Sequence, residues 1–154
     1  MPLEIERKFL VKGDAWRDGE PGILYRQGYL SAHKERVVRI RVMGEHGRLT
    51  IKGVNVGMTR LEYEYDIPVA DARHMLEELC ETPRIRKTRY FRTHAGLEWV
   101  IDEFHDENAG LIVAEIELEH QDQQIDLPDW IRLEITHDPR YFNSNLIANP
   151  YCKW

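Results

Sequence analysis

The chain has 154 residues, 42% of them hydrophobic and 31% charged, with a formal net charge of −6. That length supports one domain with an adequate core, and 1–154 is read as a single domain. The acidic balance excludes nonspecific attachment to a nucleic-acid backbone as the main activity, so no nucleic-acid partner is expected. No apolar run suits a signal peptide or a membrane span, which makes the cytoplasm the expected location and excludes a membrane partner. Cys80 and Cys152 fit no metal or redox spacing and read as reduced thiols.

Leu3–Val11 alternates Glu4, Glu6 and Lys8 with Leu3, Ile5, Arg7 and Phe9. A period of two is a strand, whose successive side chains point to opposite faces. Ile23–Ser31 reads as a second strand and Arg36–Met43 as a third, the latter setting Arg39 and Arg41 between Val38, Ile40 and Val42. Glu45-His46-Gly47 reads as a hairpin turn into a strand over Arg48–Val54. Arg60–Ile67 follows, with Glu62 and Glu64 between Leu61, Tyr63 and Tyr65. Ala70–Cys80 then carries Ala72, Met75, Leu76 and Leu79 as one apolar stripe, the mark of a helix.

Strands resume at Ile85–Thr93, with Lys87 and Arg89, and at Glu98–Phe104, with Asp102. A longer turn over 106–110 leads into Leu111–Glu119, where Glu115 and Glu117 alternate with Ala114, Ile116 and Leu118. A short last strand is expected near Ile131–Thr136 and a second helix near Tyr141–Ile147. The fold class is therefore mainly β (α+β). Antiparallel strands of this number, joined by short turns, make a barrel or a sandwich.

Charge decides between the two. Lys8, Arg39, Arg41, Lys52, Lys87 and Arg89 could not share a dry core, because each unpaired buried ion costs several kcal/mol. In a sandwich they would face bulk water. Yet the charged rows are nearly single-signed strand by strand, with Lys8 after Glu4 and Glu6 as the exception. A solvated face has no need of that sorting. A small closed barrel with a wet lumen can hold one ligand and satisfies both constraints. Its outer apolar sides would be covered by the helix Ala70–Cys80 and by a C-terminal segment bearing Trp130, Tyr141, Phe142 and Trp154.

Guanidinium and ammonium groups arriving from several strands suit a polyphosphate, Arg by bidentate contact and Lys as a point charge. Asp and Glu clusters without supporting His or Cys select hard cations, Mg²⁺ or Mn²⁺, over zinc. The sequence holds seven histidines but no H-E-x-x-H pair, and no Gly-rich phosphate loop. Phosphate recognition would come from side chains, and activation of water from metal.

Glu4-Ile5-Glu6-Arg7-Lys8 resembles the E-x-E-x-K signature that opens CYTH-domain proteins, the triphosphate tunnel metalloenzymes. The segments Gln27-Gly28-Tyr29-Leu30, Val38-Arg39-Ile40-Arg41, Thr50-Ile51-Lys52-Gly53 and Glu62-Tyr63-Glu64 match in order. So do Lys87-Thr88-Arg89-Tyr90, Ile101-Asp102-Glu103-Phe104 and Ala114-Glu115-Ile116-Glu117-Leu118. The ending Asp138-Pro139-Arg140-Tyr141-Phe142-Asn143-Ser144-Asn145-Leu146 resembles the bacterial branch. The resemblance implies an eight-stranded antiparallel closed β-barrel tunnel with a few flanking helices.

By the same resemblance, Glu4, Glu6, Glu115 and Glu117 would hold the metal. Lys8, Arg39, Arg41, Lys52, Lys87 and Arg89 would bind the phosphate chain. Glu62, Glu64 and Asp102 would orient water, a second metal or the basic side chains, and Tyr29 would stand near Lys8 at the reacting end.

The function implied is divalent-metal-dependent hydrolysis of inorganic tripolyphosphate to pyrophosphate and phosphate. The partner would be that small-molecule triphosphate, with a homodimer left open. The alternatives are a class IV adenylate cyclase, a thiamine triphosphatase and a non-catalytic polyphosphate or nucleotide sensor. The intact acidic set weighs against a sensor, since a plain anion binder would gain affinity by losing carboxylates.

Overall fold

The period-two segments become strands in the computed structural model, which describes residues 2–154. They are β1 (Leu3–Val11), β2 (Ile23–His33), β3 (Arg36–Met43), β4 (His46–Lys52) and β5 (Thr59–Ile67). After helix α1 (Val69–Glu78) come β6 (Ile85–His94), β7 (Leu97–Phe104), β8 (Ile112–Glu117) and β9 (Ile131–Glu134). The strands run β5-β4-β3-β2-β6-β7-β8-β1 in space, and β1 returns to β5 through Leu3↔Leu61, Glu4↔Arg60 and Ile5↔Thr59. That pairing closes an eight-stranded antiparallel barrel. β1 leaves β5 after Ile5, and β9 takes over its free edge near Phe9 and Val11.

The alternation then sorts side chains. Even positions of β1, β4, β5 and β7 face the lumen, as do odd positions of β2, β3, β6 and β8. The opposite faces carry the apolar residues, and two stretches of them are covered from outside, while Ile51, Leu61, Tyr63 and Tyr65 on β4 and β5 remain exposed. Ile40 and Val42 of β3 pack under Ala72 and Leu76 of α1, with Cys80 beside them. Gly28 on β2 allows that approach, since a Cβ there would lie 2.8 Å from the Cys80 Cβ. A second group, Phe9, Trp99, Ile101, Ala114 and Ile116, is covered by Trp16 on a short 3-10 turn, by Ile131 of β9 and by Trp130. Trp99 meets Phe9 and Trp130 at centroid distances of 5.6 and 5.8 Å.

A third apolar group lies inside. Tyr29, Val37, Ile85, Phe104 and Val113 occupy lumen-facing positions toward one end of the barrel, and Tyr141, Leu146 and Ile147 pack into them. The C-terminal segment therefore plugs the barrel. Of the four aromatics expected to cover its outside, only Trp130 packs on the outer wall: Tyr141 joins the plug, Phe142 lines the cavity, and Trp154 packs edge-on against Tyr141 and Tyr151. The reason is the missing inward charge at Tyr29, Val37, Ile85 and Val113, which leaves an apolar floor that needs an apolar partner.

The second helix, expected over Tyr141–Ile147, divides into a 3-10 turn at Pro139–Tyr141 and a short α2 (Asn143–Leu146). The β3–β4 turn falls at Gly44-Glu45 rather than Glu45-His46-Gly47. Gly44 has φ of +59°, which suits glycine, while Gly47 sits in β4 where a Cβ would meet the Ala72 Cβ at 2.9 Å. Cys80 is buried, Cys152 is exposed and both are free. Among the described residues no helix is long and apolar enough to cross a membrane.

Candidate active site

The barrel encloses a cavity of about 300 Å³ lined by side chains of all eight wall strands. Glu4, Glu6 and Lys8 reach it from β1, Tyr25 and Tyr29 from β2, and Arg39 and Arg41 from β3. Arg48 and Lys52 come from β4, Arg60, Glu62 and Glu64 from β5, Lys87 and Arg89 from β6, and Glu115 and Glu117 from β8. Asp102, on the lumen side of β7, bonds to two of these. Every charged residue singled out in the sequence thus lies at or against one cavity.

Its charges divide into two fields. On one side stand Arg39, Arg41, Lys87 and Arg89, all on β3 or β6. Asp102 ties two of them together: its Oδ2 accepts from the Lys87 ammonium at 2.7 Å and its Oδ1 from the Arg89 Nε at 2.8 Å. Burial opposes ionisation of Asp102, but Arg89 and Lys87 outweigh it and hold the carboxyl well below the usual range. One carboxylate does not balance four cations. Burial first, and then Arg39 and Arg89, draw Arg41 down to about 9, and burial with Arg89 and Arg41 draws Lys87 down as well. The Arg39 Nε is buried without a hydrogen-bond partner, although its Nη2 donates to Thr50 at 3.1 Å. Four cations around one cavity, with a single hydrogen-bonded carboxylate among them, call for an anion.

On the other side the charge is negative. Oxygen atoms of Glu4, Glu62 and Glu117 lie within 4.8 Å of one another. Lys52 sits among them, donating to Glu4 at 3.0 Å and pairing with Glu62 at 3.2 Å. Burial raises Glu4, but Lys52, the bond with Glu62 and Lys8 together bring it down to about 2. Glu62 shows the opposite result: burial, the bond to Glu4 and the nearby Glu64 push it up to about 8. Glu117 is raised too, by burial and then by Glu4 and Glu64. Crowded carboxylate oxygens, with no imidazole or thiolate among them, are a donor set that fits a hard divalent cation.

The geometry regroups the sequence-derived set. Glu62 joins Glu4 and Glu117, whereas Glu6 and Glu115 flank Lys8, at 3.6 and 3.7 Å from its ammonium. Burial and the neighbouring Glu115 push Glu6 up to about 7. Lys52 stands with the carboxylates, apart from the other cations. Glu64 lies 3.7 Å from Arg48 and 3.4 Å from the Thr50 hydroxyl. Tyr29 is 2% exposed and belongs to the apolar floor beneath the plug, its hydroxyl accepting from the Gln27 side chain at 3.2 Å.

Several residues in or against the cavity carry no site role in the sequence reading. Gln27 and Asn143 are uncharged and sit at the base of the cation group. Tyr25 lies under both Arg41 and Arg89, each guanidinium 5.0 Å from its ring centroid. The Phe142 ring faces the Lys8 ammonium at 5.0 Å. The alternation could have flagged Tyr25 and Gln27, which share the inward register of Tyr29. Nothing local marks Asn143 or Phe142, since they enter from the plug.

Residues 2–151 match the CYTH domain. A protein of Acetivibrio thermocellus described as an inorganic triphosphatase is 52% identical over 151 residues, which is 98% of this chain and 97% of that one. The solved structure of the inorganic triphosphatase NE1496 superposes with a TM-score of 0.67 at 32% identity, covering 93% of this chain and 96% of that one. A Hippeastrum protein described as a putative adenylyl cyclase with dominant triphosphatase activity shares the fold, with a TM-score of 0.54 at 16% identity over 78% of this chain and 80% of its own. The chain belongs to the CYTH-domain family.

Proposed function

We propose that this protein is a divalent-metal-dependent hydrolase that converts inorganic tripolyphosphate to pyrophosphate and phosphate. The observation that carries the reading is the group of buried Arg39, Arg41 and Lys87 with half-buried Arg89, short of negative charge and facing a carboxylate cluster across one cavity. A linear polyanion charged along its whole length suits a lining charged on several walls. The 52% identical relative described as an inorganic triphosphatase supports the same substrate.

Arg39, Arg41, Lys87 and Arg89 bind the phosphate chain and neutralise charge as it spreads over the transferring group and the leaving oxygen. That electrostatic contribution is the main one in phosphoryl transfer. Asp102 keeps Lys87 and Arg89 fixed, so little rearrangement is needed during reaction. Glu4, Glu62 and Glu117 would hold Mg²⁺ or Mn²⁺, with Glu6 and Glu115 next to them around Lys8. When bound, such a metal would supply a water of lowered pKa and offset the charge of the phosphate chain. Lys8, held between Glu6 and Glu115, donates to an oxygen of the reacting phosphate. Glu64 orients Arg48 and Thr50 on the neighbouring wall strand β4.

The test is phosphate release from tripolyphosphate, ATP and thiamine triphosphate with Mg²⁺ or Mn²⁺, with cyclic AMP assayed in parallel. Tripolyphosphate is expected to be hydrolysed with the highest kcat/KM and without cyclic AMP. Glu117→Gln should abolish metal-dependent turnover while melting like the wild type. Cyclic AMP as the main product, or turnover unchanged in Glu117→Gln, would overturn the assignment.

A further inference from the structure

We infer that Asn143, on the C-terminal plug, is a positioning residue that aims the cation group at the substrate. The inference rests on the triphosphate reading above. The Asn143 side-chain oxygen accepts from the Lys87 ammonium at 2.9 Å and from the Gln27 Nε2 at 3.1 Å. Gln27 is fully buried, and its own oxygen accepts from the Arg41 Nε at 2.8 Å. Two neutral amides thus join Arg41 to Lys87, and Asp102 continues the chain from Lys87 to Arg89.

The arrangement disposes of donors selectively. An ammonium has three N–H groups, and two of those on Lys87 are held by Asp102 and Asn143, so one is left for a ligand. Gln27 occupies the Arg41 Nε and leaves its terminal NH₂ groups for phosphate oxygens. Amides achieve this at no charge. Carboxylates in the same places would cancel the positive field that the polyanion needs. The plug therefore does more than fill the barrel: through these two amides it holds the floor of the anion site in register.

The experiment compares wild type, Asn143→Leu, Gln27→Met and Leu146→Val in steady-state kinetics with tripolyphosphate and in calorimetric binding of tripolyphosphate without divalent metal. Asn143→Leu keeps the branched outline of the side chain, at a larger volume, but removes the acceptor. Its KM and its metal-free dissociation constant should both rise about tenfold, the effect of losing one hydrogen bond to a charged group, with a smaller change in kcat. Gln27→Met should give the same signature by an independent route if Asn143→Leu folds poorly. Leu146→Val loosens the plug without touching the amides, so it should lower the melting temperature and leave KM as in the wild type. Wild-type KM and affinity in both amide variants, or an equal rise in Leu146→Val, would overturn the inference. Failure of the wild type itself to bind tripolyphosphate would instead overturn the substrate reading beneath it.

Discussion

At the residue scale, the site depends on charges that are buried with too few partners. Arg39 is 8% exposed, lines the cavity and donates only to the neutral Thr50 hydroxyl, so its charge is available to an incoming anion. Arg39→Ala should raise the tripolyphosphate dissociation constant by tenfold or more, about 1.5–3 kcal/mol for a hydrogen bond to a charged group. Calorimetric titration checks this, and unchanged affinity would remove Arg39 from the clamp. Asp102 makes the contrary case, because its removal strands Lys87 and Arg89. Asp102→Asn should cost about 3–5 kcal/mol of stability, as breaking a buried ion pair does.

The pH dependence follows from the sign of the shift. The folded-state pKa of Asp102 lies below its unfolded one. Its contribution is therefore complete above about pH 4, the ordinary aspartate range, and is lost as pH falls through the folded value. Urea unfolding between neutrality and strong acid should show the gap between wild type and Asp102→Asn closing only on the acid side. A gap constant with pH would show that Asp102 is not held ionised. The charged residues of this network were legible in the sequence because alternation exposes them one by one. The neutral amides were not, since Gln27 and Asn143 matter through partners far away in the chain.

At the element scale, strands and covers were read with unequal success. The helix stripe of Ala72, Met75, Leu76 and Leu79 pointed to a buried face: α1 buries Ala72 and Leu76 against Ile40 and Val42 with Met75 partly buried beside them, whereas Leu79 lies past the helix end and is 63% exposed. Leu76→Ala should destabilise the protein by about 2–5 kcal/mol, the usual cost of such a core truncation. The folded fraction should keep wild-type KM, because α1 lies outside the barrel wall. A raised KM would mean that α1 shapes the cavity after all. The β3–β4 turn was misplaced because two glycines compete locally. Gly44 serves the turn's positive φ and Gly47 serves helix packing, and only the tertiary contact tells them apart. The division of the C-terminal helix has a similar origin, since that segment bends to follow the barrel floor.

At the scale of the whole molecule, the sorting of charge by strand implied a wet lumen, and the structure delivers one cavity that gathers all those rows. The plug was invisible to that reasoning. Its inner half consists of inward positions that carry no charge, Val37, Ile85 and Val113 among them, and absence of charge is a weak signal one strand at a time. A barrel sealed by its own C-terminal segment couples the site to global stability. Tripolyphosphate at a hundredfold excess over its dissociation constant should add about 2.7 kcal/mol. In a domain of this size that corresponds to a rise of roughly 5–10 °C in melting temperature. Orthophosphate at the same concentration should give far less.

The most direct measurement is a crystal structure of the protein soaked with tripolyphosphate. The account predicts one chain of three phosphates inside the barrel, its oxygens bonded to Arg39, Arg41, Lys87 and Arg89. An anion bound only on the outer surface, with those four side chains still facing water, would contradict it.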